Sequence, residues 1–282
     1  MVKVLPEEFT VFSRYVLAIS GIYLDASKTY LIETRLDGLL KELGCSSFSE
    51  LFYKAQSDGT KKIKEKIIDA ITTGETLFFR DSAPFDLLQH KVLPDLIDKR
   101  TKKATTPLPI SIRIWSAACS TGQEIYSIAI IIKELLGDLS RYNVRLMGTD
   151  ISDAALAKAS YGAFNNFEIE RGLSKDKLLK YFVQEKGNGT WKIRDEVRAM
   201  ATFRKLNLME DFNGIGKFDI VFCRNVAIYF TEEDRIRLFK KLQGSLEADG
   251  YLIIGSTESL TGIAPQFEPQ RHVRSVFYQL KA

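Results

Sequence analysis

Ile110–Leu136 reads ISIRIWSAACSTGQEIYSIAIIIKELL, and its division into three parts decides the fold. The apolar run from Ile110 to Ala118 has the length of a buried strand, whereas Ile125–Leu136 is long enough to be a helix. Between them, Ala117, Ala118, Ser120 and Gly122 are small residues that let a ligand approach the backbone where the helix begins. The alternation continues outward from there. Val144–Ile151 is predicted as strand, Ala154–Ser160 as a short helix, Phe218–Cys223 as strand, Glu232–Leu246 as helix and Tyr251–Ser256 as strand. Short apolar strands separated by helices predict an α/β architecture, a parallel sheet covered on both faces. Val276–Leu280 is expected to add a last, antiparallel edge strand.

Two regions depart from this rhythm. Lys177–Phe182 reads as a helix, followed by Val183–Lys186, the loop Gly187-Asn188-Gly189, and Trp191–Ile193. Two short strands around a glycine-rich loop predict a hairpin. At the other end of the chain, Phe9, Phe12, Tyr15, Val16 and Ile19 recur at helical spacing up to Gly21. Leu31, Ile32, Leu36, Leu39, Leu40 and Leu43 repeat the pattern up to Gly44. Ser47 with Glu50 is a capping-box signature for a third helix. Ile63, Ile67, Ile68 and Ile71 mark a fourth, with Lys61, Lys62, Lys64 and Lys66 on its outer face. The expected organisation is an all-α N-terminal domain at 1–75 and an α/β domain at 76–282, with a small β-subdomain inserted at about 171–206. A helix from Pro84 to Arg100 and a polar connection, Lys102–Pro109, lead into the sheet.

Composition narrows the function classes. Hydrophobic residues make up 45% and charged residues 27% of 282, which argues for a packed globular chain. A net charge of +4 suits an acidic protein partner and is too weak to imply nucleic acid without a concentrated patch. The three cysteines, Cys45, Cys119 and Cys223, show no metal-ligand spacing, so neither a metal site nor a disulfide framework is expected. His90 and His272 are the only histidines and leave no material for a histidine-centred triad. No apolar run approaches the ~20 residues that span a bilayer, and Glu7, Glu8 and Arg14 are wrong for a secretory signal. A cytoplasmic protein is expected.

Four runs carry chemistry. Trp115–Glu124, WSAACSTGQE, sits at a strand-to-helix turn, and the next strand ends in Asp150, suited to accept both hydroxyls of a ribose. A single glycine replaces the pattern that cradles a pyrophosphate, so the expected nucleoside lacks one, as S-adenosylmethionine does. A tight turn followed by a capping Asp150 is the plainer reading. Thr73–Asp81, TGETLFFRD, sets Arg80 beside Phe78 and Phe79, available to a carboxylate, or is merely a linker with two aromatic anchors. Phe218–Phe230, FDIVFCRNVAIYF, empties an apolar strand into Arg224-Asn225. There Asn225 suits an adenine edge or a methyl donor and Tyr229 walls the reacting site; read alone, it is simply a strand end. Lys205–Leu208, KLNL, places Asn207 before a turn and is weak by itself.

Together these runs resemble the CheR-type chemotaxis-receptor methyltransferases. The match lies in T-x-E-T-x-F-F-R, WSAACSTG-x-E-x-YSIA, TDIS, LNL and FCRNV-x-IYF, in that order, with YLIETRL in the helical part. The resemblance implies a Rossmann-like methyltransferase sheet behind an all-α substrate-recognition domain. It also implies transfer of a methyl group from S-adenosylmethionine to receptor glutamates, leaving S-adenosylhomocysteine. It places Gly74, Thr76, Arg80, Gln123, Asp150, Asn207, Leu208, Asn225 and Val226 at the cofactor, and we assign Tyr229 and Arg80 to the reacting site. Asp150 would take the ribose, Arg80 the methionyl carboxylate, and Asn207-Leu208 the adenine. Gly74 stands where the family usually has asparagine, and Gln123 where it usually has the first of two glutamates. The implied partners are cytoplasmic chemoreceptor helices and, as in some members of the family, a receptor-tail peptide adding a strand to the β-subdomain. Arg35 and the Lys61–Lys66 face are candidate receptor contacts, the latter otherwise a solvated helix face.

Other classes remain open on sequence grounds. A scaffold or sensor that binds the nucleoside or receptor without efficient catalysis fits Gly74 and Gln123. A methyltransferase for small molecules or nucleic acid would share the sheet but should show an N-P-P-[YF]-like run or a basic, aromatic groove. A nicotinamide dehydrogenase lacks its glycines.

Overall fold

The computed structural model describes residues 2–103, 109–185, 187 and 189–281. Most of the Lys102–Pro109 connection, together with Lys186 and Asn188 of the expected hairpin, lies outside the described residues. The N-terminal part is a bundle of α1 (Pro6–Ser20), α2 (Thr29–Glu42), α3 (Phe48–Ser57) and α4 (Lys62–Ile71). Its core gathers the stripes read from the sequence: Phe12 and Val16, Ile32 and Leu36, Phe48 and Leu51, with Ile67 and Ile68. Gly21 ends α1 in the left-handed region, φ 78°. Ser47 caps α3 by accepting the Glu50 N–H, but the Glu50 carboxylate returns to Ser46 rather than Ser47, a box displaced by one residue. Arg35 donates to the Ile71 carbonyl at 2.7 Å, so its guanidinium secures the end of α4.

The sheet-based part begins with α5 (Ala83–Leu87), which runs through a π-turn at Leu88–Val92 into α6 (Leu93–Lys103). There follow β1 (Ile110–Ala117), α7 (Gln123–Leu136), β2 (Tyr142–Asp150), α8 (Asp153–Tyr161), β3 (Ala163–Asn165), α9 (Asn166–Glu170), α10 (Lys175–Tyr181), β4 (Phe182–Gln184) and β5 (Thr190–Ile193). Then come α11 (Asp195–Arg198), β6 (Ala201–Lys205), β7 (Phe218–Cys223), α12 (Glu232–Gly244), β8 (Leu246–Ile254), β9 (Phe267–His272) and β10 (Ser275–Leu280). Seven strands pair in the order β6-β2-β1-β7-β8-β10-β9, the first five parallel and the last two antiparallel. Both faces are buried, as the unbroken apolar strands require. Ile112, Ile114, Ile220 and Phe222 pack on one face, and Trp115, Ala117, Val221 and Cys223 on the other, the period-two alternation dividing them.

Three strand readings need correction. β10 is interior, and the edge belongs to β9, whose FEPQRH sequence is polar and exposed because only one side of it is covered. β6, ATFRK, closes the opposite edge with no fully buried residue, which left no apolar run to read. β8 starts at Leu246 rather than Tyr251, since Leu246 already pairs with Phe218, and a register shift carries the pairing past the polar residues to Tyr251.

A second, three-stranded antiparallel sheet, β3-β5-β4, carries the expected hairpin. It begins at Ala163, ahead of the expected 171, because a three-residue strand leaves no period in the sequence. Phe78 anchors it, meeting Phe164 at 5.0 Å and Phe182 at 5.5 Å edge-to-face. Trp191 is half-buried and donates to Asn166 Oδ1 at 2.9 Å. No helix among the described residues is long and apolar enough to cross a membrane. Phe164 is fully buried, so Phe164→Ala should cost about 3–5 kcal/mol, read as a lowered urea midpoint with an unchanged slope.

Candidate active site

A cleft of about 200 Å³ opens at the carboxyl ends of β1, β2 and β7, and the helical bundle closes its far side. Ligands enter open α/β sheets at this rim, where loops leave the strands and the following helix exposes N–H groups. Tyr23, Lys28, Leu31 and Asp69 line the cleft from the bundle. Ser120, Glu124, Asp150 and Asn225 face them from the sheet.

Asp150 ends β2 almost fully buried. Its Oδ2 accepts the Ser120 N–H at 2.8 Å and its Oδ1 the Ser152 N–H at 3.0 Å, so one carboxylate ties the turn after β1 to the turn after β2. Burial pushes its pKa above the ordinary aspartate value, assisted by the Asp69 charge; the Ser152 and Ser120 N–H groups oppose the rise without cancelling it. Each oxygen retains a lone pair for a ligand hydroxyl. Cys119 in the same turn has its thiol pushed well up by burial, then by Asp150 and Glu124, and stays protonated.

Arg224 is buried under the floor of the cleft. It donates to Glu124 Oε2 at 2.8 Å, to Asp81 Oδ2 at 3.1 Å and to the Arg80 carbonyl at 2.7 Å, and it stacks on Phe85. Ser116 Oγ completes Glu124 by donating to its Oε1 at 2.8 Å. Seven non-glycine residues among those described have positive φ, and five of them, Phe79, Asp81, Ala118, Ser120 and Asn225, lie in the loops around the cleft. Strain held by surrounding contacts concentrates at functional sites.

The cleft brings together Gly74, Thr76, Arg80, Asp150, Asn207 and Leu208, and beside them Asn225, Val226 and Tyr229. Gly74 offers its carbonyl to Ser120 Oγ at 3.1 Å. Arg80 is half-buried and donates to the Glu75 carbonyl at 2.9 Å. Asn207 spends its amide on the fold, donating to the Ile19 carbonyl at 3.2 Å and accepting the Met209 N–H at 2.9 Å. Tyr229 gives its backbone carbonyl to the Tyr23 N–H at 2.8 Å, a bridge to the bundle that leaves its half-buried ring on the cleft wall. Gln123 stands apart from the cleft. It is buried, with its amide on Thr121 and Glu168 at 2.8 and 3.4 Å, because a helix turns about 100° per residue and the cleft-facing position falls to Glu124.

Sequence reasoning passed over Glu124 and Arg224. An arginine ending an apolar strand signals a buried charge that must find carboxylates, and Glu124 closes the Trp115–Glu124 run. The bundle residues left no such signal, since only tertiary packing brings them to the rim.

Two family models match the chain: the CheR methyltransferase SAM binding domain over residues 74–275 and the CheR methyltransferase all-alpha domain over residues 7–72. The chain belongs to the CheR methyltransferase family. A chemotaxis protein methyltransferase of Pseudomonas putida is 36% identical over 278 residues, covering 97% of this chain and 98% of that protein. One from Vibrio cholerae is 38% identical over 277 residues, covering 98% and 97%. Among solved structures, a TehB-like SAM-dependent methyltransferase of Corynebacterium glutamicum aligns at a TM-score of 0.39 and 14% identity, over 72% of this chain and 96% of that one.

The residues of this CheR chain fit S-adenosylmethionine as its cofactor. Asp150 presents anionic oxygens to the cleft beside a turn of small residues, and Glu124 adds a second carboxylate. Titration calorimetry with S-adenosylhomocysteine should give heat with the native protein and none with Asp150→Ala. Hydroxyl donors need the anionic carboxylate, so affinity should be flat near neutrality and fall as pH drops through the raised Asp150 pKa. The inflection should sit above the ordinary 3.8, and Asp150→Asn should flatten the profile. Arg224→Ala strands Glu124 and should cost about 3–5 kcal/mol of stability, measured by denaturant unfolding.

Proposed function

We propose that this CheR protein transfers the methyl group of S-adenosylmethionine to glutamate side chains on the cytoplasmic helices of chemoreceptors, forming methyl esters. The observation that carries the reading is a cleft walled by helical bundle and sheet rim together, furnished with carboxylates, two arginines and two tyrosines, and with no histidine among its lining residues. The names of its relatives point to the same sensory chemistry.

S-adenosylmethionine supplies an electrophilic methyl group when bound. A glutamate with a reference pKa of about 4.3 is already an anion at neutral pH, so the chain need supply no general base. Its task is placement and the exclusion of water that would solvate the incoming carboxylate. Tyr229 and Asn225 shape that approach. Arg80 is tethered by the Glu75 carbonyl, which keeps its cation at the cofactor's carboxylate end; a cation closer to the nucleophile would favour the ground state over the transition state. Asp150 takes the ribose, Asn207 and Leu208 the adenine, with Thr76, Gly74 and Val226 completing the cofactor wall. Gln123, turned away from the cleft, yields its assigned place to Glu124.

The helical domain, residues 1–75, is the recognition surface, and its exposed lysines suit acidic receptor helices. Arg35 is committed to Ile71, so any receptor contact there is secondary. The inserted β-subdomain offers β4 as a free edge with Val183 exposed, where a receptor-tail peptide would add by strand pairing. The reaction belongs to the cytoplasm, where those receptor helices lie. Incubation with labelled cofactor and receptor helices should yield a base-labile labelled product that is lost when the acceptor glutamates are replaced by alanine. Label that survives base, or that enters the alanine helices equally, would overturn the reading.

A further inference from the structure

We infer that Glu258 is a positioning residue for methyl transfer, holding the Asn225 turn in its active shape. β7 and β8 run parallel and end side by side, Cys223 opposite Ile254. Just beyond those ends, a single oxygen of Glu258, Oε2, accepts the Asn225 N–H at 2.8 Å and the Gly255 N–H at 2.7 Å. The turn Gly255–Glu258, closed by the Glu258 N–H on the Gly255 carbonyl at 3.0 Å, folds the carboxylate back over both strand exits. Ser256 of the same turn reaches Asp81 at 3.4 Å, and so the loop that carries Arg80.

Three observations set this contact apart from ordinary loop closure. Asn225 sits at φ 56°, in the left-handed region, and its N–H bond to Glu258 holds it there. Gly255 makes the approach possible, because a Cβ at that position would stand 2.6 Å from Glu258 Oε2 and 2.8 Å from Asn225 Nδ2. The other oxygen, Glu258 Oε1, is buried with no hydrogen-bond partner among the described residues. A carboxylate that crowds two donors onto one oxygen and leaves the other bare is not arranged for stability. What it gains is the orientation of Asn225, Val226 and Tyr229, all on the cleft wall. Glu258 itself does not line the cleft and acts through that turn.

The inference rests on the proposed transfer reaction for its kinetic readout alone. Glu258→Gln keeps a carbonyl oxygen for the two N–H groups, whereas Glu258→Ala removes it. Both variants are tested as the full chain by residue-resolved amide hydrogen exchange and by steady-state kinetics on receptor helices. In Glu258→Ala the Asn225 and Gly255 amides should exchange at least tenfold faster and kcat should fall at least tenfold. In Glu258→Gln both should return to within threefold of the native protein. Native protection of those amides in Glu258→Ala, or a Glu258→Gln variant as impaired as the alanine one, overturns the inference. A native protein that labels no receptor helix counts against the glutamate reading instead, and the exchange comparison still decides Glu258.

Discussion

Around the cleft, three separate parts of the chain must meet, the loop before α5, the start of α7 and the turn after β7, and the Arg224 guanidinium is what they share. Withdrawing a cation from water costs several kcal/mol unless its partners are close and well aimed. Here Glu124 comes from the start of α7, while Asp81 and the Arg80 carbonyl come from the loop before α5. A planar fork addresses these directions at once, which an ammonium on a flexible stem does not. The fixed positions of Glu124, Asp81 and the Arg80 backbone follow from that requirement.

The same region concentrates unfavourable backbone. Ser120 and Asn225 would relax if the hydrogen bonds of Asp150 and Glu258 were absent. Asp150 therefore does double service: it presents charge toward the cleft and keeps a neighbouring turn in a shape that local preference disfavours, whereas Glu258 does only the second.

Much of this was legible in the residues themselves. The strands β1, β2 and β7 and the helix α7 are long apolar runs, whose period and length admit one reading each. Asp150, Asn225 and Arg80 fell where small residues or charges interrupt such runs. What escaped the sequence has physical causes. The edge strands β6 and β9 are covered on one side only and carry polar residues, and β3 is too short for any periodicity. Gln123 and Glu124 are neighbours in sequence, and only the phase of α7 determines which lines the cleft. Tyr23, Lys28 and Leu31 reach the cleft through the packing of one domain on another, information that no local pattern contains.

That last contact has a thermodynamic consequence. A small molecule seated between bundle and sheet touches both bodies at once, so melting either one releases it. At a thousandfold excess over its dissociation constant, such an occupant adds about 4 kcal/mol to each unfolding step. The two parts, each with its own core, are already joined by bonds such as Tyr23 to Tyr229 and Asn207 to Ile19, and an occupant of the cleft would add its own contacts to that seam.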